Sequence, residues 1–305
     1  MGDMAAGRGG WRRAGYRFQR WIAPYVFIGP GFLFYMMVTF IPAIIGVYLS
    51  FTNYRIISPR YAFVGLANYA KMLDDPLFWT SMKNTFLYAS GTIPGVVILS
   101  LVLALLVNSK LRGVVFFRTI YYMPVVTPIS VAAVIWLWIY DYRGLLNGVL
   151  QLFGVGATNW LQTTATAMPS VIVMGIWLAV GTNMIIYLAA LKGIPQTYYE
   201  AASMDGATPW QQFRYITLPL LSPTTLFVVI TVTMGALRVY AEINIMTQGG
   251  PVDSTSVIVF YIFEKAFSSL QMGYAAAMSV GLFLVTMALT WINWRFLGRG
   301  VHYGG

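Results

Sequence analysis

There is no cysteine in these 305 residues, a single histidine, and only 9% Asp, Glu, Lys and Arg. Without thiols, disulfides and thiolate metal sites are excluded. The one histidine, His302, stands in a polar tail, so neither a Ser-His or Cys-His pair nor a catalytic metal site has the residues it needs within the fold. No Gly-x-x-x-x-Gly-Lys-Ser/Thr is present, and any nucleotide hydrolysis falls to another chain. Soluble domains carry about a quarter charged residues. The shortfall here, against 58% hydrophobic residues, marks an integral membrane protein.

The formal net charge of +10 does not point to nucleic acid, because the basic residues are scattered between apolar runs rather than gathered on one soluble surface. Membrane topology accounts for it instead. Residues 1–20 form a basic tail, and the remainder, 21–305, reads as one all-α membrane domain with six apolar runs of spanning length. These are TM1 25–51, TM2 84–107, TM3 119–140, TM4 168–191, TM5 218–239 and TM6 272–296. The first is too long for a signal-peptide core and lacks a small-x-small cleavage site, so it stays as an anchor. Pro124 and Pro128 fall near the start of TM3, where neighbouring groups can satisfy the freed carbonyls.

Most of the 19 Lys and Arg lie in the tail, in 108–118, around 192–216 and after TM6, while most acidic residues lie in the alternate loops. This bias places both termini and 192–216 in the cytoplasm, and 52–83, 141–167 and 240–271 outside. The expected home is the cytoplasmic membrane of a prokaryote, in contact with lipid and not with nucleic acid.

Between TM4 and TM5 lie two helix-start signatures in tandem. Thr197 and Glu200 have capping-box spacing, which predicts a short helix from about Tyr198. Asp205-Gly206 supplies the stop, since Gly takes a left-handed backbone without steric cost. Thr208 and Gln211 repeat the capping spacing with Pro209 at the first helical position. Helix, tight turn, helix is the expectation. Its turn leaves backbone groups that lipid cannot satisfy, so it belongs on a membrane face.

Glu200-Ala201-Ala202, Asp205-Gly206-Ala207, Phe213 and Leu218-Pro219 resemble the EAA loop of ABC importer permeases, the segment that docks a cytoplasmic ATPase. Three further stretches resemble the carbohydrate-uptake, maltose or glycerol-phosphate type: Gly65-Leu66-x-Asn68-Tyr69 leading to Asn84-Thr85, the Asn159-Trp160-Leu161 loop, and Gly249-Gly250-Pro251. The resemblance implies a non-enzymatic translocation subunit with no cofactor of its own. It implies as partners a second homologous permease, two ATP-binding subunits carrying ATP and Mg, and an extracytoplasmic solute-binding protein. Glu200, Ala201, Ala202, Asp205, Gly206, Ala207 and Phe213 would couple to the ATPase, although Glu200 also reads simply as a helix cap. A glycerol-phosphate or amino-acid permease is the nearer alternative. A proton- or Na⁺-driven transporter is more distant, because it needs ionisable midplane sites, and no Asp or Glu lies deep in the six runs.

Polar residues within the spans are the candidates for a solute pathway: Thr182, Asn183 and Tyr187 in TM4, and Thr231, Thr233 and Arg238 in TM5. Thr182 and Asn183 point about 100° apart on a helix, and each also reads as interhelical hydrogen-bonding. In maltose-type relatives the resemblance implies sugar contacts from TM4 and TM5, where this chain has Gly175, Ala179, Val232 and Ala236, smaller and less polar than that implies. Arg238 has two readings, an ion pair with Glu242 four residues on, which is preferred, or a contact to an anionic solute.

Overall fold

The computed structural model describes residues 23–58, 60–108 and 113–297. The basic tail, Lys110, Arg112 and the C-terminal residues after 297 lie outside them. Among the described residues the chain is helical, with only two isolated bridges in place of strands.

Thirteen helices are named here in chain order: α1 Ala23–Ser50, α2 Ala67–Leu73, α3 Pro76–Asn108, α4 Val114–Val126, α5 Ile129–Tyr140, α6 Leu145–Leu152 and α7 Thr164–Gly193, then α8 Gln196–Met204, α9 Pro209–Leu220, α10 Ser222–Ala236, α11 Ala241–Met246, α12 Ile258–Phe263 and α13 Met272–Leu297. The expected TM2 and TM4 lie within the longer α3 and α7, whose extra turns continue beyond the apolar runs.

TM3 differs from expectation. Instead of one helix over 119–140 there are two, α4 and α5, separated at Thr127-Pro128. Thr127 is extended, with φ −84° and ψ 124°, because a proline ring crowds the residue before it out of helical geometry. TM5 differs too: α9 and α10 meet at an angle of 62° at Leu221, and the expected span 218–239 is straight helix only from Ser222 to Ala236. Pro223 has no N–H to continue the ladder, and the Ser222 hydroxyl donates to the Pro219 carbonyl at 2.6 Å instead.

The expected loops 141–167 and 240–271 are also more ordered than their polarity suggests. The first contains α6, anchored by the fully buried Asn147. Its Nδ2 donates to the carbonyls of Asp141, Tyr142 and Thr158, and its Oδ1 accepts from Thr158 N and Trp160 Nε1. The second contains α11 and α12, with Ile243, Val257 and Ile258 fully buried in two of the three cores.

Close packing of α3 on α7 organises the bundle. Gly91 and Gly95 present two bare patches one turn apart, and Ile172 and Ile176 of α7 seat in them, so that a Cβ at Gly91 would meet Ile172 Cδ1 at 2.9 Å and one at Gly95 would collide with Ile176. This is the small-xxx-small approach that membrane helices use when hydrophobicity cannot drive their association.

Long-range hydrogen bonds join 54–84 to 253–274. Asn84 Nδ2 donates to the carbonyls of Asp253 and Ser256, and the hydroxyls of Tyr261 and Tyr274 both donate to Asp75 Oδ2 at 2.6 Å. Residues 141–162 share a cavity of about 440 Å³ with Met246, Thr247, Gly250 and Pro251. The three segments expected on one face thus gather at one end of the bundle.

Candidate functional site

Two regions carry the function-bearing side chains. The first is the α8–α9 element. The predicted box at Thr197 and Glu200 does not form: the helix starts two residues earlier, at Gln196, with Pro195 in the capping position and no side-chain cap. Proline's fixed φ and extended ψ already deliver the chain into the first turn, leaving Glu200 exposed. The second box forms as expected, with Thr208 N donating to Gln211 Oε1 at 2.7 Å and Gln211 N to Thr208 Oγ1 at 3.3 Å.

Between the helices, Gly206 has φ +78°. Its N–H donates to the Ser203 carbonyl at 3.1 Å, and the Ala207 N–H reaches the Ala202 carbonyl at 2.9 Å, the paired bonds of a Schellman termination. Gln212 Nε2 ties the arms together through Ser203 Oγ at 2.9 Å. Below them Tyr199 Oη meets the buried Thr217 Oγ1. Glu200, Ala201, Asp205 and Gly206 face outward, Ala202 and Ala207 are half-buried, and Phe213 packs against Trp210 with ring centroids 5.4 Å apart. Met204 and Trp210 are 86% and 66% exposed, large apolar surfaces on an otherwise polar element, which is the character of a docking patch.

The second region is a cavity of about 600 Å³ bounded by α3, α4, α7 and α10 and by the segment leading into α11. Thr182, Asn183 and Thr231 line it, as do Gly175, Ala179, Val232 and Ala236. At Gly175 the vacated space is taken by the Tyr88 hydroxyl. Asn183 is turned partly inward, its Nδ2 donating to the Ala179 carbonyl at 2.9 Å.

Other expected residues are elsewhere. Tyr187 is fully buried in the core with Val96, Met184 and Val228, one turn from the cavity wall. Thr233 is buried and accepts from Asn293 Nδ2 at 3.3 Å. The Arg238–Glu242 pair is not formed. Helix α10 stops at Ala236, so the two residues do not share a helical face: Arg238 is exposed, while Glu242 is half-buried and lines the cavity. Sequence reasoning missed Glu242 as a cavity residue, together with Tyr88 and Thr92 of α3 and Thr127 at the helix break. The acidic residue just past a span was a signal; the α3 residues gave none, because Tyr and Thr in a span are unremarkable.

Residues 95–298 match the family described as the binding-protein-dependent transport system inner membrane component. The chain is 32% identical over 301 residues to an arabinooligosaccharides transport system permease protein of Bacillus subtilis, covering 96% of this chain and 94% of that one. It is 34% identical over 244 residues to an sn-glycerol-3-phosphate transport system permease protein of Yersinia pestis, covering 79% and 82%. In fold it is similar to a chain of a bacterial ABC transporter involved in the import of alginate, with a TM-score of 0.82 over 94% of this chain at 23% identity.

Proposed function

The chain belongs to the family of binding-protein-dependent transport system inner membrane components, and we propose that it is one of two permease subunits of an ABC importer that carries a sugar or oligosaccharide into a prokaryotic cell. The observation that carries this reading is the α8–α9 element: a helical pair with a tight glycine turn, with Met204 and Trp210 exposed, that runs through the bend at Leu221 into α10, which forms one wall of the cavity. A push on such an element reaches the cavity wall through the bend at Leu221. Glu200, Ala201, Ala202, Asp205, Gly206, Ala207 and Phe213 form the surface that seats on an ATP-binding subunit, where ATP and Mg are held and hydrolysed.

Both termini and residues 192–216 face the cytoplasm. The clustered ends of α3, α5 and α13, with the loops joined through Asp75, Asn84 and Asn147, receive the extracytoplasmic solute-binding protein. A homologous permease completes the solute path against the open side of the cavity. The arabinooligosaccharide relative supports a neutral glycan, and the glycerol-phosphate relative keeps an anionic solute as the competing reading.

The test is uptake of labelled arabino-oligosaccharides by proteoliposomes that contain the purified complex. Accumulation that needs ATP and the binding protein supports the reading. Accumulation driven by a proton or Na⁺ gradient without ATP would overturn it.

A further inference from the structure

The cavity has an unusual charge balance. Its polar wall is made of Tyr88, Thr92, Thr127, Thr182, Asn183 and Thr231, all uncharged, and of one charged group, Glu242. No Lys or Arg lines it. The nearest basic residue in sequence, Arg238, is turned to the exposed side by the end of α10, and Glu242 forms no ion pair among the described residues. Two nearly buried hydroxyls lie in the same wall, those of Tyr88 and Thr92, 3% and 4% exposed, which hydrogen-bond to each other and add to its polar, uncharged character.

We propose that Glu242 makes this cavity an anion-excluding passage, so that the solute carried is an uncharged, hydroxyl-rich glycan and not a phosphorylated or acidic one. The inference rests on the importer reading above and names its solute class. An ionised carboxylate is acceptor-only, and a glycan offers it several hydroxyl donors. The threonines and Asn183 can both give and accept hydrogen bonds, which suits a ligand with many hydroxyls. A phosphate or uronate in the same space meets Glu242 with no cation to offset it; burial raises the pKa of this carboxyl above its ordinary value, so the like charge is fullest toward higher pH. At a separation of about 6 Å, and an effective dielectric between that of a protein site and that of water, the repulsion disfavours the anion by about tenfold, about 1.4 kcal/mol.

The absence of cysteine allows this to be read without knowing the solute. A single cysteine is placed at the exposed cavity position, Thr182→Cys, or at the outer tip of the coupling element, Met204→Cys. Each is then modified in the purified complex with a cationic (ethylammonium) or an anionic (ethylsulfonate) methanethiosulfonate. The cation-to-anion rate ratio at position 182, normalised to that at 204, should fall about a hundredfold with Glu242→Gln, about tenfold from each reagent in opposite directions, fall further with Glu242→Lys, and hold with Glu242→Asp. The aspartate variant keeps the charge, so it separates loss of charge from loss of packing. An unchanged ratio in Glu242→Gln, or no reaction of either reagent at position 182, would overturn the proposal. Because this assay needs neither ATP nor a transported solute, its failure counts against Glu242 alone. Failure of ATP-driven uptake counts against the importer reading.

Discussion

The hydroxyls of Tyr199 and Thr217 are 2.9 Å apart, and this bond fastens α8 to the end of α9 that leads into the bent span. Tyr199→Phe removes the bond and keeps the ring. It should lower stimulated ATP hydrolysis and uptake several-fold while leaving membrane accumulation near wild type, since a net hydrogen bond contributes about 1 kcal/mol. Equal hydrolysis and uptake in mutant and wild type would show that the contact does not transmit force.

Gly206 has open space around the position of a Cβ, so the cost of a side chain there comes from its φ of +78° alone. Gly206→Val should cost of order 1–3 kcal/mol and weaken co-purification of the ATP-binding subunit. Gly206→Asn, which tolerates a left-handed backbone, should retain most of it. Equal loss in both variants would point to a contact made by the glycine face and away from the turn.

The topology gives a direct check. A cysteine at Met204, 86% exposed at the tip of the element, should resist an impermeant thiol reagent added outside intact cells and react once the membrane is opened. Labelling from outside would sink the assignment of this element to the cytoplasm.

Asp75 clamps the start of α3 to α12 and α13. Burial alone would raise its pKa, but hydrogen bonds from Tyr261, Tyr274 and the backbone N–H groups of Leu77 and Phe78 outweigh that and hold it below the ordinary carboxylate value. A depressed folded-state pKa contributes stability that is present above the unfolded value and is lost as pH falls through the folded one. Thermal stability of the purified protein should therefore drop below about pH 4. Asp75→Asn keeps the helix cap but loses the charge on the tyrosine bonds, and should cost about 1–2 kcal/mol at neutral pH with a flatter acid limb. A variant as acid-sensitive as wild type would remove Asp75 from that transition.

The α3–α7 contact is testable by overpacking. Gly95→Leu would drive a side chain into Ile176 and should cost about 1–3 kcal/mol, read as reduced accumulation and a lower melting temperature. Ile176→Ala in the same chain should restore part of the loss. If it restores nothing, the damage lies in the helix itself and not in the fit between the two.

Much of the α8–α9 element was legible because its signals are local. A capping box, a proline and a glycine act within three or four residues, and the Thr208–Gln211 box and the turn at Gly206 stand where the spacing put them. The box at Thr197 failed because Pro195 started the helix first. The Arg238–Glu242 pairing failed for a related reason: an i, i+4 argument holds only while the helix continues, and α10 ends between the predicted face and its partner.

By itself the sequence determined that this is a helical membrane protein, roughly where its apolar runs lie, and that a polar helix-turn-helix separates two of them, because lipid imposes length and hydrophobicity on each run separately. Tertiary structure decided what the cavity is made of. Tyr88, Asn183 and Glu242 come from three distant stretches of chain, and the clamp at Asp75 reaches Tyr261 across 186 positions. Which small residue makes room, which carboxylate faces the space and which arginine turns away depend on where helices bend and how closely two of them approach. Those are properties of pairs of elements, and no periodicity within one element records them.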